Sequence, residues 1–118
     1  MKKAILLLLI LTVSCTKENP FFNVGDKVFI NRIVVAGNTA DNLQKFKKLL
    51  IEEADEAADM AYYGLGSFLV TGDCVEVTET IGSNILRVVD YDPMINEYGE
   101  RQYYVYAVDL YKSAKKIK

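Results

Sequence analysis

The 118-residue sequence contains no histidine, no tryptophan, two cysteines and two prolines. Without histidine, neither a His-dependent catalytic triad nor a Cys/His zinc site can be assembled. Basic and acidic residues number 14 and 16, for a net charge of −2, which is unlike the basic surface of nucleic-acid-binding proteins. Hydrophobic residues make up 51% of a chain long enough for one domain. We therefore expect a single globular domain without nucleic acid, metal or cofactor.

The N-terminus has the charge and hydropathy pattern of an export signal. Lys2 and Lys3 precede a run of largely apolar residues at positions 4–13. A membrane-spanning helix needs about 20 apolar residues, whereas this run has the length of a signal-peptide hydrophobic region. The alternative is a buried N-terminal helix of the domain, which would leave both lysines unexplained. We predict that residues 1–14 form a signal peptide.

The end of this signal resembles a bacterial lipobox. Residues 11–15 read LTVSC, in which Ser14 and Cys15 fit the lipobox and Thr12 stands where leucine is usual. The resemblance implies a lipid on Cys15 and a tether over residues 15–22. Ordinary signal cleavage is the alternative. Two or three acyl chains would hold a soluble domain firmly on a membrane.

Residue 16 bears on the membrane to which such a lipoprotein is sent. Thr16, and not aspartate, follows Cys15, which by resemblance to lipoproteins of Gram-negative bacteria favours the outer membrane. The expected partner of the N-terminus is therefore the envelope membrane. If Cys15 carries lipid, Cys74 is the one remaining thiol, so no internal disulfide is expected.

The first half of the mature chain is predicted to form one strand and one helix. Residues 27–35 are a continuous β-branched run, which favours a strand. Over residues 41–62, apolar residues recur at steps of three and four, which predicts one amphipathic helix with a single buried face. The members of that face are Leu43, Phe46, Leu50, Ala54, Ala57 and Ala61.

The second half has the two-residue alternation of short strands. We predict strands at residues 67–70, 74–78, 85–89 and 101–108. Residues 90–100 are predicted to be a polar loop and residues 112–118 a frayed basic tail. One helix followed by closely spaced strands favours an α+β domain over residues 23–111.

Residues 68–111 resemble a bacterial SH3-like barrel. The resemblance is carried by three segments, FLVTGDCVEV at 68–77, ILRVV at 85–89 and YVYAVDL at 104–110. It implies one amphipathic helix packed against a small antiparallel barrel. The alternative is a cystatin-like helix on a four-stranded antiparallel sheet, against which the closing turn between Val105 and Leu110 argues.

The chain departs from this family at the residues that would bind proline-rich peptides. Residues 103–106 read YYVY where the family usually has Gly-Trp-Val-Pro, so that activity is not implied. In a strand, Tyr104 and Tyr106 share the face opposite Val105. We predict that these two tyrosines face outward and form a binding surface, which Tyr91 or, as an alternative, Tyr98 joins. The alternative is that they only cover the sheet.

The predicted helix also carries an acidic stripe. Glu52, Asp55, Glu56 and Asp59 share one helical face. This stripe has three interpretations, namely contact with a basic partner, weak binding of a divalent cation, or a solvated face. A rigid helix cannot wrap its carboxylates around Ca²⁺ as a loop does, which favours the solvated face.

Nothing in the sequence predicts catalysis. A serine or cysteine nucleophile would lack a histidine base, and the carboxylates of Asp90, Asp92 and Glu97 meet the needs of a glycosidase only formally. Two functions remain. One is a lipid-anchored binding or adaptor module for a peptide, a glycan or an envelope protein. The other is a structural or regulatory lipoprotein, of the immunity or exclusion type, whose acidic helix face contacts a basic partner.

Overall fold

A computed structural model describes residues 21–117 as a mixed α+β domain, in which a curled antiparallel sheet of seven strands is joined by three helices. The strands are β1 (Lys27–Ile30), β2 (Val34–Gly37), β3 (Gly66–Leu69), β4 (Cys74–Ile81), β5 (Ile85–Asp92), β6 (Glu97–Tyr106) and β7 (Ala114–Ile117). The helices are α1 (Ala40–Glu52), α2 (Ala54–Tyr62) and α3 (Ala107–Ser113). The strand order is β3-β2-β6-β5-β4-β1-β7.

The α+β class is confirmed, whereas the single helix is not. The curled sheet is consistent with a barrel-like fold, but it draws on more of the chain than the predicted barrel segment 68–111, because β1, β2 and β7 also contribute strands. With seven strands, the sheet is also larger than the four-stranded sheet of the cystatin-like alternative.

The predicted strand over residues 27–35 is two strands at different places in the sheet. β1 lies between β4 and β7, whereas β2 lies between β3 and β6. The chain leaves the sheet at Asn31 and Arg32, whose backbone N–H groups both donate to the carbonyl oxygen of Ser113, at 2.7 and 3.1 Å. Local β propensity could not reveal this break, because it depends on a residue some 80 positions away.

The predicted helix is likewise divided, at Glu53. The backbone of Glu53 is non-helical, with φ −146° and ψ 77°, yet its N–H donates to the carbonyl of Leu49 and its own carbonyl accepts from Ala57. Glu53 therefore ends α1 and begins α2. The N-terminus of α1 is capped by Thr39, whose hydroxyl oxygen accepts a hydrogen bond from the N–H of Asn42 at 3.0 Å.

The bend at Glu53 changes which residues of the helical pair are buried. Leu43, Phe46 and Ala57 are buried as predicted. Ala54 and Ala61 are exposed, and Met60 occupies the buried position in α2. The buried face of α2 therefore runs through Ala57 and Met60, in place of the predicted Ala54, Ala57 and Ala61.

The main core fills the inside of the curled sheet. It consists of Phe22, Val28, Ile30, Val34, Ala36, Leu69, Val75, Val77, Leu86, Val88, Val105, Ala107 and Leu110. Phe22 is only 3% exposed, although it falls within the predicted tether. Its neighbour Phe21 stacks on Tyr111 of α3, with ring centroids 4.6 Å apart. Packing of these two aromatic rings thus brings the last residues of the predicted tether into the domain.

A smaller core lies between the sheet and the helices α1 and α2. Phe46, Ala57 and Met60 form its buried centre. Phe46 packs directly on the backbone of β3, because a Cβ atom at Gly66 would stand 2.3 Å from its ring. β2 contributes Val35 to this cluster, while its other side chains face the main core.

The C-terminal third differs most from the sequence-based expectation. The predicted polar loop 90–100 is largely strand, because β5 continues to Asp92 and β6 begins at Glu97. The predicted strand 101–108 ends at Tyr106 and continues as α3, which buries Ala107 and Leu110 three positions apart. The predicted frayed tail includes β7, which pairs with β1. The lysines of β7 predicted a solvated tail. The pairing of β7 with β1 could not be predicted, because it leaves no signal in the local sequence.

Candidate binding groove

The three tyrosines predicted to form one binding surface lie in two places along the β5–β6 hairpin. Tyr104 is paired with Arg87, whereas Tyr91 is paired with Tyr98. Arg87 and Tyr91 are four residues apart on β5, which corresponds to about 13 Å. Tyr91 is therefore set apart along the hairpin from Tyr104 and Tyr106.

Tyr104 and Tyr106 do lie opposite Val105, but that face of the sheet is the one that α1 covers. Tyr104 is paired with Gly37, whose missing Cβ would stand 2.4 Å from the backbone nitrogen of Leu43 in α1. The ring centroid of Tyr106 lies 4.7 Å from Nζ of Lys47. Both tyrosines are partly buried. Their arrangement fits the alternative in which they cover the sheet.

Lys47 joins α1 to α3 beside Tyr106. Its ammonium group forms an ion pair and hydrogen bond with Oδ2 of Asp109 at 2.5 Å. The cation therefore bridges an aromatic ring and a carboxylate. This contact links the two helices beside the base of the hairpin.

Tyr91 lies near the tip of the hairpin, where a set of polar contacts fixes it to β1 and β4. Its ring centroid is 5.2 Å from that of Tyr98 and 4.8 Å from Nζ of Lys27. Its hydroxyl donates to Oδ1 of Asn96 at 2.7 Å. The hydroxyl of Tyr98 donates to Oε1 of Glu76 at 2.8 Å, which raises the pKa of Tyr98. Contacts with side chains that do not belong to the main core therefore hold the tip in place.

A groove of about 1010 Å³ runs beside this tip, and we call it the hairpin groove. Its apolar wall combines Phe29 of β1 and Phe68 of β3 with Met94, Ile95 and Tyr98 of the hairpin. All five side chains are exposed, to the greatest extent Met94 at 89%. Exposed apolar side chains gathered in one concavity are typical of binding sites.

The polar part of the hairpin groove centres on Asp90. Burial raises the pKa of Asp90, and the nearby carboxylate of Asp73 raises it further. The charge of Arg101 and a hydrogen bond with Tyr103 lower it in part. Tyr103 also raises the pKa of Arg101, so this hydroxyl interacts with both the carboxylate and the guanidinium.

A β-bulge gives Asp90 its place in the hairpin groove. Between the pairs Val89–Gln102 and Tyr91–Tyr98, β5 contributes one residue and β6 contributes three. Gly99 is one of these extra residues, and a Cβ there would stand 2.9 Å from Cβ of Asp90. Glycine therefore lets the two strands approach closely at the bulge.

Cys74 lies in the wall of the hairpin groove as a free, partly buried thiol. Burial raises its pKa, and the carboxylates of Asp73 and Asp92 raise it further. The thiol is therefore protonated at neutral pH and is a weak nucleophile.

The charge of the hairpin groove is predominantly acidic. Asp73, Asp90, Asp92 and Glu97 line it, against the single cation Arg101. Within residues 21–117, no three cysteine or carboxylate side chains are grouped so that they could hold a metal ion. A ligand in the hairpin groove would contact apolar side chains along one wall and carboxylate oxygens beside them.

The predicted acidic stripe is divided by the bend at Glu53. Glu52 belongs to α1, whereas Asp55, Glu56 and Asp59 belong to α2. All four side chains are exposed, and none forms an ion pair with another residue of the described part of the chain.

Reasoning from sequence missed the hairpin groove because the tip was predicted to be a loop. The available signal was the apolar pair Met94-Ile95 within an otherwise polar stretch. Phe29 and Phe68 could not be assigned to the same wall, because β1 and β3 are far apart in the strand order and only the curl of the sheet brings them to it.

The predicted signal peptide, Cys15 and most of the predicted tether lie outside the described residues. In the range 21–117, no helix is long and apolar enough to span a bilayer. A scan against protein-family models and searches of curated proteins and of solved structures find no match to this chain.

Proposed function

We propose that this protein is a non-catalytic binding module, held at the bacterial cell envelope by a lipid on Cys15, that captures its partner in the hairpin groove. The observation that carries the proposal is the exposure of Met94 and Ile95, at 89% and 60%, on a tip that polar contacts hold in place. Apolar side chains presented by a fixed element lose little conformational freedom on binding.

The expected address supports this function. Two lysines, a short apolar run and the LTVSC sequence at residues 11–15 support export and lipidation. Thr16 after Cys15 supports localisation to the outer membrane. As part of the same proposal, the curled antiparallel sheet supports kinship with bacterial SH3-like barrels. These barrels are small domains that serve as binding modules.

The capture site is tested by cross-linking in the membrane fraction. Wild-type protein is compared with the double variant Met94→Asp, Ile95→Asp. The matched control is Ile51→Asp on α1, where the apolar side chain is 83% exposed and does not line the hairpin groove. We expect cross-linked products to be lost in the double variant and kept in the control. Unchanged products in the double variant would refute capture in the hairpin groove.

The anchor is tested by the intact mass of the membrane-fraction protein. Wild-type protein should begin at Cys15 and carry a diacyl or triacyl mass, whereas Cys15→Ala should carry none. An unmodified wild-type protein cut at another site would refute the lipid anchor without affecting the hairpin groove.

A second proposed function uses the acidic side chains of α1 and α2. The observation that favours it is their exposure without ion pairs inside the described domain. Reversal of Glu52, Glu56 and Asp59 to lysine should abolish binding of a basic partner. The Met94→Asp, Ile95→Asp variant should still bind it. A pull-down in which the reversal has no effect rejects this function.

A further inference from the structure

We infer that the hairpin groove takes an extended peptide segment in which a lysine or arginine stands beside an apolar residue. This inference rests on the proposed binding function and names the class of partner. Its basis is the combination of an apolar wall and an excess of carboxylates in one concavity.

The one cation that lines the hairpin groove acts on a carboxylate of the groove itself. Arg101 interacts with Asp90, and the hydroxyl of Tyr103 interacts with both. The remaining carboxylates of Asp73, Asp92 and Glu97 therefore set the charge that a ligand meets. An anionic ligand such as a phosphate would be repelled, whereas an ammonium or guanidinium group would be attracted.

Among the remaining carboxylates, Glu97 is the one most open to a ligand. Oδ2 of Asp73 accepts from the N–H of Val70, and Oδ1 of Asp92 accepts from the N–H of Met94, both within local turns. Glu97 forms no hydrogen bond or ion pair with residues of the described chain and is exposed. Both of its oxygens can therefore accept hydrogen bonds from a cationic side chain.

The apolar wall accounts for the second part of the ligand. Met94 and Ile95 stand in the hairpin turn between Asp92 and Glu97, so an acidic side chain lies on either side of an apolar pair. A methionine surface adapts to varied apolar partners. At about 1010 Å³, the hairpin groove is also larger than one side chain requires, which fits several residues of an extended segment.

The test uses three synthetic hexapeptides of alternating leucine and a second residue, which is lysine, glutamine or glutamate. The protein is the full chain with Cys15→Ser, purified in a mild detergent, so that Cys74 is the one thiol. Because Cys74 lines the hairpin groove, its rate of alkylation reports occupancy directly. We expect the lysine peptide to slow alkylation, and the glutamate peptide to leave the rate unchanged.

The carboxylate variants locate the interaction. Glu97→Gln should weaken binding of the lysine peptide about two- to fivefold, as expected for an exposed ion pair. Glu97→Lys should weaken it further. The control Asp41→Asn removes an exposed carboxylate from the first turn of α1, outside both proposed binding surfaces, and should leave the affinity unchanged. Circular dichroism confirms that each variant is folded.

The outcomes separate this inference from the proposed function. Equal protection by the lysine and glutamate peptides, or equal affinities in Glu97→Gln and wild type, overturns the inference. Failure of all three peptides also overturns it, while the function stands if envelope cross-links still depend on Met94 and Ile95. If those cross-links are independent of both residues, the proposed function itself fails.

Discussion

The base and the tip of the β5–β6 hairpin are stabilised in different ways. At the base, residues 85–89 and 102–106, alternate side chains such as Leu86, Val88 and Val105 are fully buried in the main core. At the tip, residues 91–98, no side chain is buried, and hydrogen bonds from two tyrosines fix the strands instead. The same pair of strands therefore combines a structural part and a part available to a partner.

The bulge at Asp90 separates these two parts. Up to Val89 the side chains alternate between the core and the outer face, and beyond the bulge this alternation no longer meets a core. Residues at the tip can therefore change with little effect on folding, whereas residues at the base cannot. Four measurements test this contrast.

The largest effect is expected from truncation at the base. Leu86→Ala removes a fully buried side chain and should lower the free energy of unfolding by about 2–5 kcal/mol. Ile95→Ala at the tip should change it by less than about 0.5 kcal/mol. Urea denaturation of both variants provides the measurement. Similar losses in the two variants would mean that the tip shares in the core.

The second effect concerns the bulge itself. Gly99→Ala places a Cβ atom 2.9 Å from Cβ of Asp90, so one of the two strands must shift. We expect a loss of about 1–3 kcal/mol, as for overpacking elsewhere. Glu100→Ala, at the exposed neighbouring position, is the control and should be nearly neutral in the same denaturation experiment. A neutral Gly99→Ala would show that the strands separate freely here.

A smaller effect of opposite sign is expected at Asp90. Its pKa in the folded protein is raised above the ordinary value of 3.8, mainly by burial. The folded chain therefore binds more protons than the unfolded chain between these two pKa values, and stability falls as the pH rises through that window. Asp90→Asn should remove this fall and stabilise the domain at pH 7 by less than about 1 kcal/mol.

Thermal unfolding at several pH values tests the Asp90 prediction. The difference between wild type and Asp90→Asn should vanish below the ordinary pKa of aspartate, where both side chains are neutral. A variant that is less stable than wild type at pH 7 would show that Arg101 and Tyr103 outweigh the cost of burial.

The smallest effect is expected at the tip. Tyr98→Phe removes the hydrogen bond to Glu76 but keeps the ring against Tyr91, so the free energy of unfolding should fall by less than in any of the destabilising variants above. Tyr111→Phe is the matched control, because the Tyr111 ring stacks on Phe21 and its hydroxyl has no hydrogen-bond partner in the described chain. Chemical denaturation should find this control within error of wild type.

What could be predicted of the fold was set by local periodicity. The spacing of Leu43, Phe46 and Ala57 revealed a helical region, and the alternation around Val75 and Val88 revealed strands. The breaks at residues 31–33 and at Glu53 could not be predicted, because each side of the break continues the same local pattern. They are decided by which elements the two sides pack against.

The candidate site was predictable only in part, for the same reason. Tyr104 and Tyr106 were correctly placed opposite Val105, but nothing local showed that α1 covers that face. Tyr91 does line the hairpin groove, with Tyr98 as its neighbour in place of Tyr104 and Tyr106. A cross-strand pair depends on the register of two strands, which an unpredicted bulge had changed.

The pairing of β1 has a consequence for how the chain folds. Val28 lies opposite residues 47 and 88 positions further along, namely Val75 on one side and Lys116 on the other. Contacts so distant in sequence make folding slow, because a long loop must close before they form. One edge of β1 is also unpaired until β7 forms. A chain that lacks β7 would therefore expose a strand edge that can pair with other molecules.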